Sequence, residues 1–349
     1  MVSKIKVDEI ESSQSGGSVA HNSPMTFKGY TTSQINALSG MAAGDTVYDS
    51  DMGTIKVYNG SSWNEMSSST FTIDIDYLVV AGGGGSGVDT SAGLGYTGGS
   101  GAGGLLSSKD TQGRGVAAAT TPSFTSGTQL TVTVGAGGPS ESKGSSSTFY
   151  NVTALGGGIP SDSNAEKAGG CGAGASASSI DDTDIGGIGS HGYDGGDNNG
   201  NNSATAGGGG AGGAGVPGVG GAGGNGGVGA ITTILSSSTA TTVGVGEISG
   251  STVYFSGGGA GSGSSQGTGG LGGGGNGGGN YSGAAKTGGG CGGTYNTSVS
   301  GAGGSGVVIV RYPASHTLSN IDSGLTSNTY TESNEKVTVF TAGTGTVTV

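Results

Sequence analysis

The chain has 349 residues, of which 86 are glycine, with 31% hydrophobic, 10% charged and a formal net charge of −12. With 23 carboxylates against 11 Lys and Arg and no basic cluster, it lacks the basic surface that nucleic-acid binding draws on. No run of about 20 apolar residues offers a membrane-spanning helix, and the opening MVSKIKVDEIESS has no apolar stretch suited to a secretory signal.

Residues 1–69 read as an N-terminal β attachment region. Ile5 and Val7 alternate with Lys4, Lys6 and Asp8, a short strand pattern. TTSQINALSG predicts a brief helix, with Thr32 or Ser33 as N-cap and Gly40 as C-cap. A β-meander follows: Thr46-Val47-Tyr48 leads to Thr54–Tyr58, and Asn59-Gly60 turns the chain back to Trp63. Asn-Gly between strand-like runs is a strong hairpin signal, and the sole tryptophan is expected to pack on that hairpin. Serines 67 to 69 mark a linker.

Residues 70–312 form a glycine-rich module. It opens on the strand-like run TFTIDIDYLVVA, in which Phe71, Ile73, Ile75 and Tyr77 alternate with polar residues. Further β segments are predicted at Leu130–Val134, Phe149–Leu155 and Ser251–Phe255, and GVVIVRYP closes the module. Between them the glycines keep a three-residue beat, at Gly209, Gly212, Gly215, Gly218, Gly221, Gly224 and Gly227, with shorter runs from Gly95 and Gly186. A polyproline-II-like helix has three residues per turn and no internal hydrogen bonds, so this beat leaves one bare edge per turn for a neighbouring backbone. The fold class expected is therefore mostly β with a packed polyglycine-II helix bundle. Its backbone groups must bond between helices, because buried N–H and C=O groups need partners.

Cys171 (GGCGAG) and Cys291 (GGCGG) each stand where another glycine would fit. Small buried residues are the preferred reading, and a disulfide stays open. Residues 313–349 read as a C-terminal β hairpin: KVTVFTAGTGTVTV forms two strands about Ala342–Gly345, with Val337, Val339, Val347 and Val349 on one face.

The segments YLVVAGGGGSG, GAGGLL, LTVTVGAGG, VYFSGGGAG and GAGGSGVVIVRYP, in that order, resemble the glycine-rich domain of bacteriophage tail-fibre proteins, common in phages of marine cyanobacteria. GDTVYDSDMGTIKVYNGSSWNEM is similar to short β modules of phage fibre and virion proteins. The resemblance implies a tip adhesin of packed polyglycine-II helices whose end loops contact the host receptor. The tail after Pro313 and the insert around 161–204 depart from the pattern.

The richest polar stretch, SIDDTDIGGIGSHGYDGGDNNGNNS, holds Asp181, Asp182, Asp184, Asp194 and Asp197 with Asn198, Asn199, Asn201 and Asn202. Such oxygens can bind Ca²⁺, but their order matches no EF-hand loop, so a solvated surface loop is preferred. Its functional version is a receptor loop carrying His191, Tyr193, Asp194 and Asn198. Tyr96, Tyr281 and Tyr295 interrupt glycine tracts and belong at turns, either as binding residues or packed on a helix end. Nothing places two carboxylates across a cleft for glycan cleavage, and no phosphate loop follows the glycines.

The expected protein is thus a non-catalytic, virion-borne tail fibre that attaches to a host glycan or outer-membrane protein. It would be assembled in the host cytoplasm, without cofactor or metal. Its partners would be other tail or fibre proteins and two further copies in a homotrimer. The alternative is a purely structural stalk or decoration protein.

Overall fold

The structure is a computed structural model and describes residues 27–66, 71–87, 96–161, 163–177, 184–198, 204–279, 281–295 and 301–349. The strand expected at Ile5 and Val7 and the linker serines lie outside the described residues. The chain divides into two compact units, Met1–Thr70 and Phe71–Val349.

In the first unit, β1 (Gly29–Tyr30) precedes α1 (Thr32–Asn36), and β2 (Thr46–Asp49), β3 (Thr54–Tyr58) and β4 (Trp63–Glu65) form the predicted meander. The helix starts one residue early. Thr31 is the N-cap, its hydroxyl accepting from the Gln34 N–H while the Gln34 side chain accepts from the Thr31 N–H, a reciprocal capping box. The helix ends at Ala37, so Gly40 is not its cap. In the Asn59-Gly60 turn, the Asn59 side-chain oxygen accepts from the amides of Ser61 and Ser62. The Trp63 ring packs 5.3 Å from that of Tyr58, as expected.

Asp49 is fully buried at the end of β2. Desolvation would raise its pKa, yet it is held at about 2 by the Lys56 ammonium 2.8 Å away, the Thr32 hydroxyl and the Asp51 and Met52 amides.

The second unit contains β5 (Thr72–Asp74), β6 (Asp76–Val80), β7 (Leu105–Ser107), β8 (Ser123–Thr125), β9 (Gln129–Val134), β10 (Ser147–Phe149) and β11 (Val152–Ala154). After the short helix α2 (Asn164–Lys167) come β12 (Ala230–Thr232), α3 (Ser237–Val243), β13 (Glu247–Ser249), β14 (Thr252–Phe255), β15 (Val307–Pro313), β16 (Leu325–Glu332) and β17 (Glu335–Thr348). Eight of these strands form one sheet in the order β11-β10-β9-β17-β15-β6-β7, with β16 also paired to β17. The strands at its two ends, β11 and β7, touch, so the sheet curls into a nearly closed barrel.

Alternation along β6 and β15 feeds two cores. Tyr77, Val79, Val308, Val310 and Tyr312 point inward with Phe149 and Phe340. Leu78, Val80, Val307 and Ile309 face outward beneath Ile234 and Leu235 from the β12–α3 connection, Ala240 from α3 and Phe255 from β14. Full burial of each aliphatic side chain is worth about 1.5–3 kcal/mol, which makes this double layer the apolar anchor of the unit. Phe71, expected to alternate inward with Ile73 and Ile75, is instead exposed and stacks on His316 at 4.8 Å.

The predicted hairpin about Ala342–Gly345 is replaced by a single 14-residue strand, β17. Its first half pairs with β15 and its second half with β9, while β16 supplies the hairpin partner through Ser333-Asn334. The four valines do not share a face: Val337 and Val339 lie in the outer core, Val347 and Val349 in the inner one. The register shift opposite Thr326 and Ser327 leaves Thr341 as an extra residue, and a bulge of one residue exchanges the faces of everything beyond it. Gly343, with φ +98°, permits the accompanying bend.

The glycine tracts form neither α-helix nor ladder strand. Along 97–104, the amides of Thr97, Ser100 and Gly103 donate to the carbonyls of Thr294, Cys291 and Gly288. Those of Gly101 and Gly104 donate to Gly158 and Leu155, and those of Gly99 and Ala102 to Ala206 and Gly209. Each neighbour is therefore met again after three residues, descending on antiparallel segments and ascending on a parallel one. These bonds are 2.8–3.1 Å long. A side chain has no room at such contacts: a Cβ on Gly101 or Gly259 would enter the carbonyl group of Cys171 or Cys291. On outer segments the exposed position also recurs every third residue, at Val216, Val219, Ala222, Asn225 and Val228.

Candidate functional site

The structure divides the sequence-predicted residues between two places. Tyr96 and Tyr295 meet edge to face, with ring centroids 4.9 Å apart, and Tyr295 is exposed. Burial first, and the Tyr295 phenol beside it, push the Tyr96 hydroxyl above its ordinary pKa.

Beneath this pair the glycine segments end in a buried hydroxyl cluster. Thr97 Oγ1 lies 3.2 Å from Thr294 Oγ1. Ser262 Oγ donates to the carbonyls of Thr97 and Thr294, and Thr205 Oγ1 donates to Thr97 and Ser262. The hydroxyls satisfy carbonyls that have reached the end of the inter-segment lattice. Asn198 belongs to this end too: it is buried, and its side-chain amide donates to the Ser176 carbonyl at 2.8 Å. Tyr281 is half exposed, and its carbonyl accepts from Gly292, three residues before Tyr295. The opposite end of the same segments runs into β7, β14 and β15.

His191, Tyr193 and Asp194 lie towards that β-sheet end. The His191 carbonyl accepts from the Leu105 amide and its Nδ1 from the Leu155 amide at 3.2 Å. Burial lowers its pKa, in keeping with a neutral ring that accepts this bond. Asp194 pairs with Arg114, at 2.7 Å through one guanidinium nitrogen and 3.3 Å through the other, and accepts from the Gly189 amide. Arg114 also donates to the Gly189 carbonyl from a turn in which its own φ is +62°. The sequence carried no sign of this pair, since residues 110–116 and 189–194 are distant along the chain.

The other described carboxylates of the polar stretch are spent separately. Asp184 pairs with the buried Lys167 ammonium and accepts from the Ser176 amide, while Asp197 accepts from Gly186. Among the described residues no three His, Cys, Asp or Glu side chains converge as metal ligands. Asp181, Asp182, Asn199, Asn201 and Asn202 lie outside the described residues.

Both cysteines are buried free thiols inside the lattice. Burial raises the Cys291 pKa to about 12 and that of Cys171 further still, so neither is a nucleophile at neutral pH.

Next to Arg114 a groove of about 580 Å³ opens between residues 110–115, Tyr193, Ala211-Gly212, Val228–Ile231 and Tyr254. Because its walls come from five separate stretches, no local sequence pattern announces it.

No curated protein and no solved structure matches the chain. Residues 59–313 match the family model described as a glycine-rich domain, and the chain belongs to that family of glycine-rich domains.

Proposed function

We propose that this chain is a bacteriophage tail-fibre protein, the distal adhesin that attaches the virion to a host cell-surface receptor by binding without chemistry. Its glycine segments are then a packed polyglycine-II helix bundle standing on the barrel-like sheet, and the bundle's far end is the receptor-facing tip.

The observation that carries this reading is the three-residue hydrogen-bond repeat that ends at Tyr96, Tyr295 and the hydroxyl cluster. A lattice of bonded backbones holds its end loops rigid, and rigid loops lose less entropy on binding. Tyrosine offers a broad contact area at small entropic cost. The tip residues are Tyr96, Tyr281 and Tyr295, with Asn198 bracing the end from within. His191, Tyr193 and Asp194 belong to the side of the module. The N-terminal unit joins the chain to other tail or fibre proteins, the fibre is a homotrimer, and several fibres per particle convert weak single contacts into firm attachment.

The test is binding of fluorescently labelled protein to intact cells that the parent phage infects. Saturable binding that falls on Tyr295→Ser, with unchanged thermal stability, supports the reading. Absence of binding by the folded, oligomeric protein opposes it and favours a purely structural fibre component.

A further inference from the structure

We infer that the groove beside Arg114 is a binding site for a neutral oligosaccharide, separate from the tip. Its volume of about 580 Å³ lies within the usual range of small-ligand sites, roughly 300–1,000 Å³. Its lining includes the aliphatic side chains of Val228 and Ile231, both exposed, 39% and 51% respectively. Tyr193 and Tyr254 flank it, half-buried, and their hydroxyls have no hydrogen-bond partner among the described residues. The same holds for the Thr111 hydroxyl. Gln112 donates through Nε2 to the Ala117 carbonyl at 2.7 Å, which fixes its amide and leaves Oε1 to accept.

Charge selects the ligand class. Asp110 lines the groove, its oxygens accepting from the Thr232 hydroxyl at 2.6 Å and the Thr233 amide and hydroxyl at 2.9 and 2.7 Å. A carboxylate in the lining disfavours an anionic ligand, and three of its acceptor positions are already used within the protein. The neighbouring cation, Arg114, is committed to Asp194. A purely apolar ligand would leave the surrounding hydroxyls and the Gln112 oxygen unpaired as they lose water, which disfavours it. A pyranose meets both demands: its C–H face lies on tyrosine and aliphatic carbon, and its hydroxyls exchange bonds with the two phenols, Thr111 and Gln112. Two or three sugar rings fill the space.

This site rests on the groove alone and stands whether or not the tip binds cells. The experiment is saturation-transfer NMR on the full chain with maltotriose, cellotriose and lactose, and with sialyllactose as the anionic control. A saturable signal from at least one neutral sugar, weakened about tenfold or more by Tyr254→Ala and by Gln112→Ala, is expected. Ile231→Lys, at an exposed position, abolishes binding without unfolding the protein and guards against a folding artefact. Tyr295→Ser, at the tip, leaves binding unchanged. No saturable signal from any neutral sugar overturns the inference. So does binding unaffected by all three groove variants, or binding of sialyllactose in preference to lactose.

Discussion

Replacing Gly101 by alanine tests the glycine lattice at a close contact between two backbones. The new Cβ would stand 2.7 Å from the Cys171 carbonyl carbon and 2.9 Å from that of Gly172, besides overlapping the Cys171 oxygen. Backbone cannot rotate away as a side chain does, so segments 97–104 and 170–177 must separate. Overpacking of this kind costs about 1–3 kcal/mol. Separation also stretches the bonds from Cys171 to Ala102 (3.0 Å) and from Gly174 to Gly99 (2.8 Å), each worth about 1 kcal/mol. The expected loss is therefore about 3–5 kcal/mol, large for a single methyl group. Gly259→Ala, aimed at the Cys291 carbonyl, carries a similar cost. The control is Val216→Thr, at an exposed third position of an outer segment, expected to stay within about 0.5 kcal/mol. Urea unfolding of the purified protein, followed by tyrosine fluorescence and circular dichroism, gives both values. A Gly101→Ala protein as stable as the parent would refute the close-packed backbone account, whatever the glycine count.

Further outcomes are expected. Asp49 has a folded-state pKa of about 2, below its ordinary 3.8, so its stabilising contribution is present above about pH 4 and fades as pH falls towards 2. Glu332, also held at about 2, behaves likewise. Burial opposes this shift, but Thr239, the Ser236 amide and Arg311 outweigh it. Acid titration should therefore lower stability between about pH 4.5 and 2, and Asp49→Asn should flatten the part that reports on the N-terminal unit. Cys171 and Cys291 should resist a thiol reagent in the native protein and both react after denaturation; stoichiometric labelling of folded protein would contradict their burial. Arg311→Lys should lower stability by about 1–3 kcal/mol, since lysine cannot span Glu332, Glu335 and the Ile234 carbonyl at once; equal denaturation midpoints would oppose this.

The parts of the fold that were legible in the sequence are those decided locally. The meander of the first unit follows from alternation and an Asn-Gly turn, and the three-residue glycine beat foretold a repeat that the hydrogen bonds display. What was not legible depends on distant partners. β17 looked like a hairpin because Gly343 and Gly345 imitate a turn. Its continuity depends on β15 for the first half and β9 for the second, and the Thr341 bulge that exchanges its faces is visible only opposite β16. Helix α3 is hidden in the sequence although Ser236 caps it and Gly244 ends it in the left-handed region, because its Ser- and Thr-rich interior resembles a loop. In the sequence Tyr96 and Tyr295 stand apart, each as an interruption of glycine. Their meeting follows from a ladder that joins Thr97 to Thr294, 197 residues apart. Asn198 reads in the sequence as a polar loop residue, but the fold buries it.

Adsorption of the parent phage in the presence of excess purified protein tests the central proposal most directly. If the chain is the receptor-binding fibre, wild-type protein slows adsorption in proportion to its occupancy of the cells. The doubly substituted Tyr96→Ser, Tyr295→Ser protein, folded to the same extent, then leaves adsorption unchanged. Normal adsorption at a saturating concentration of the wild-type protein would contradict the account.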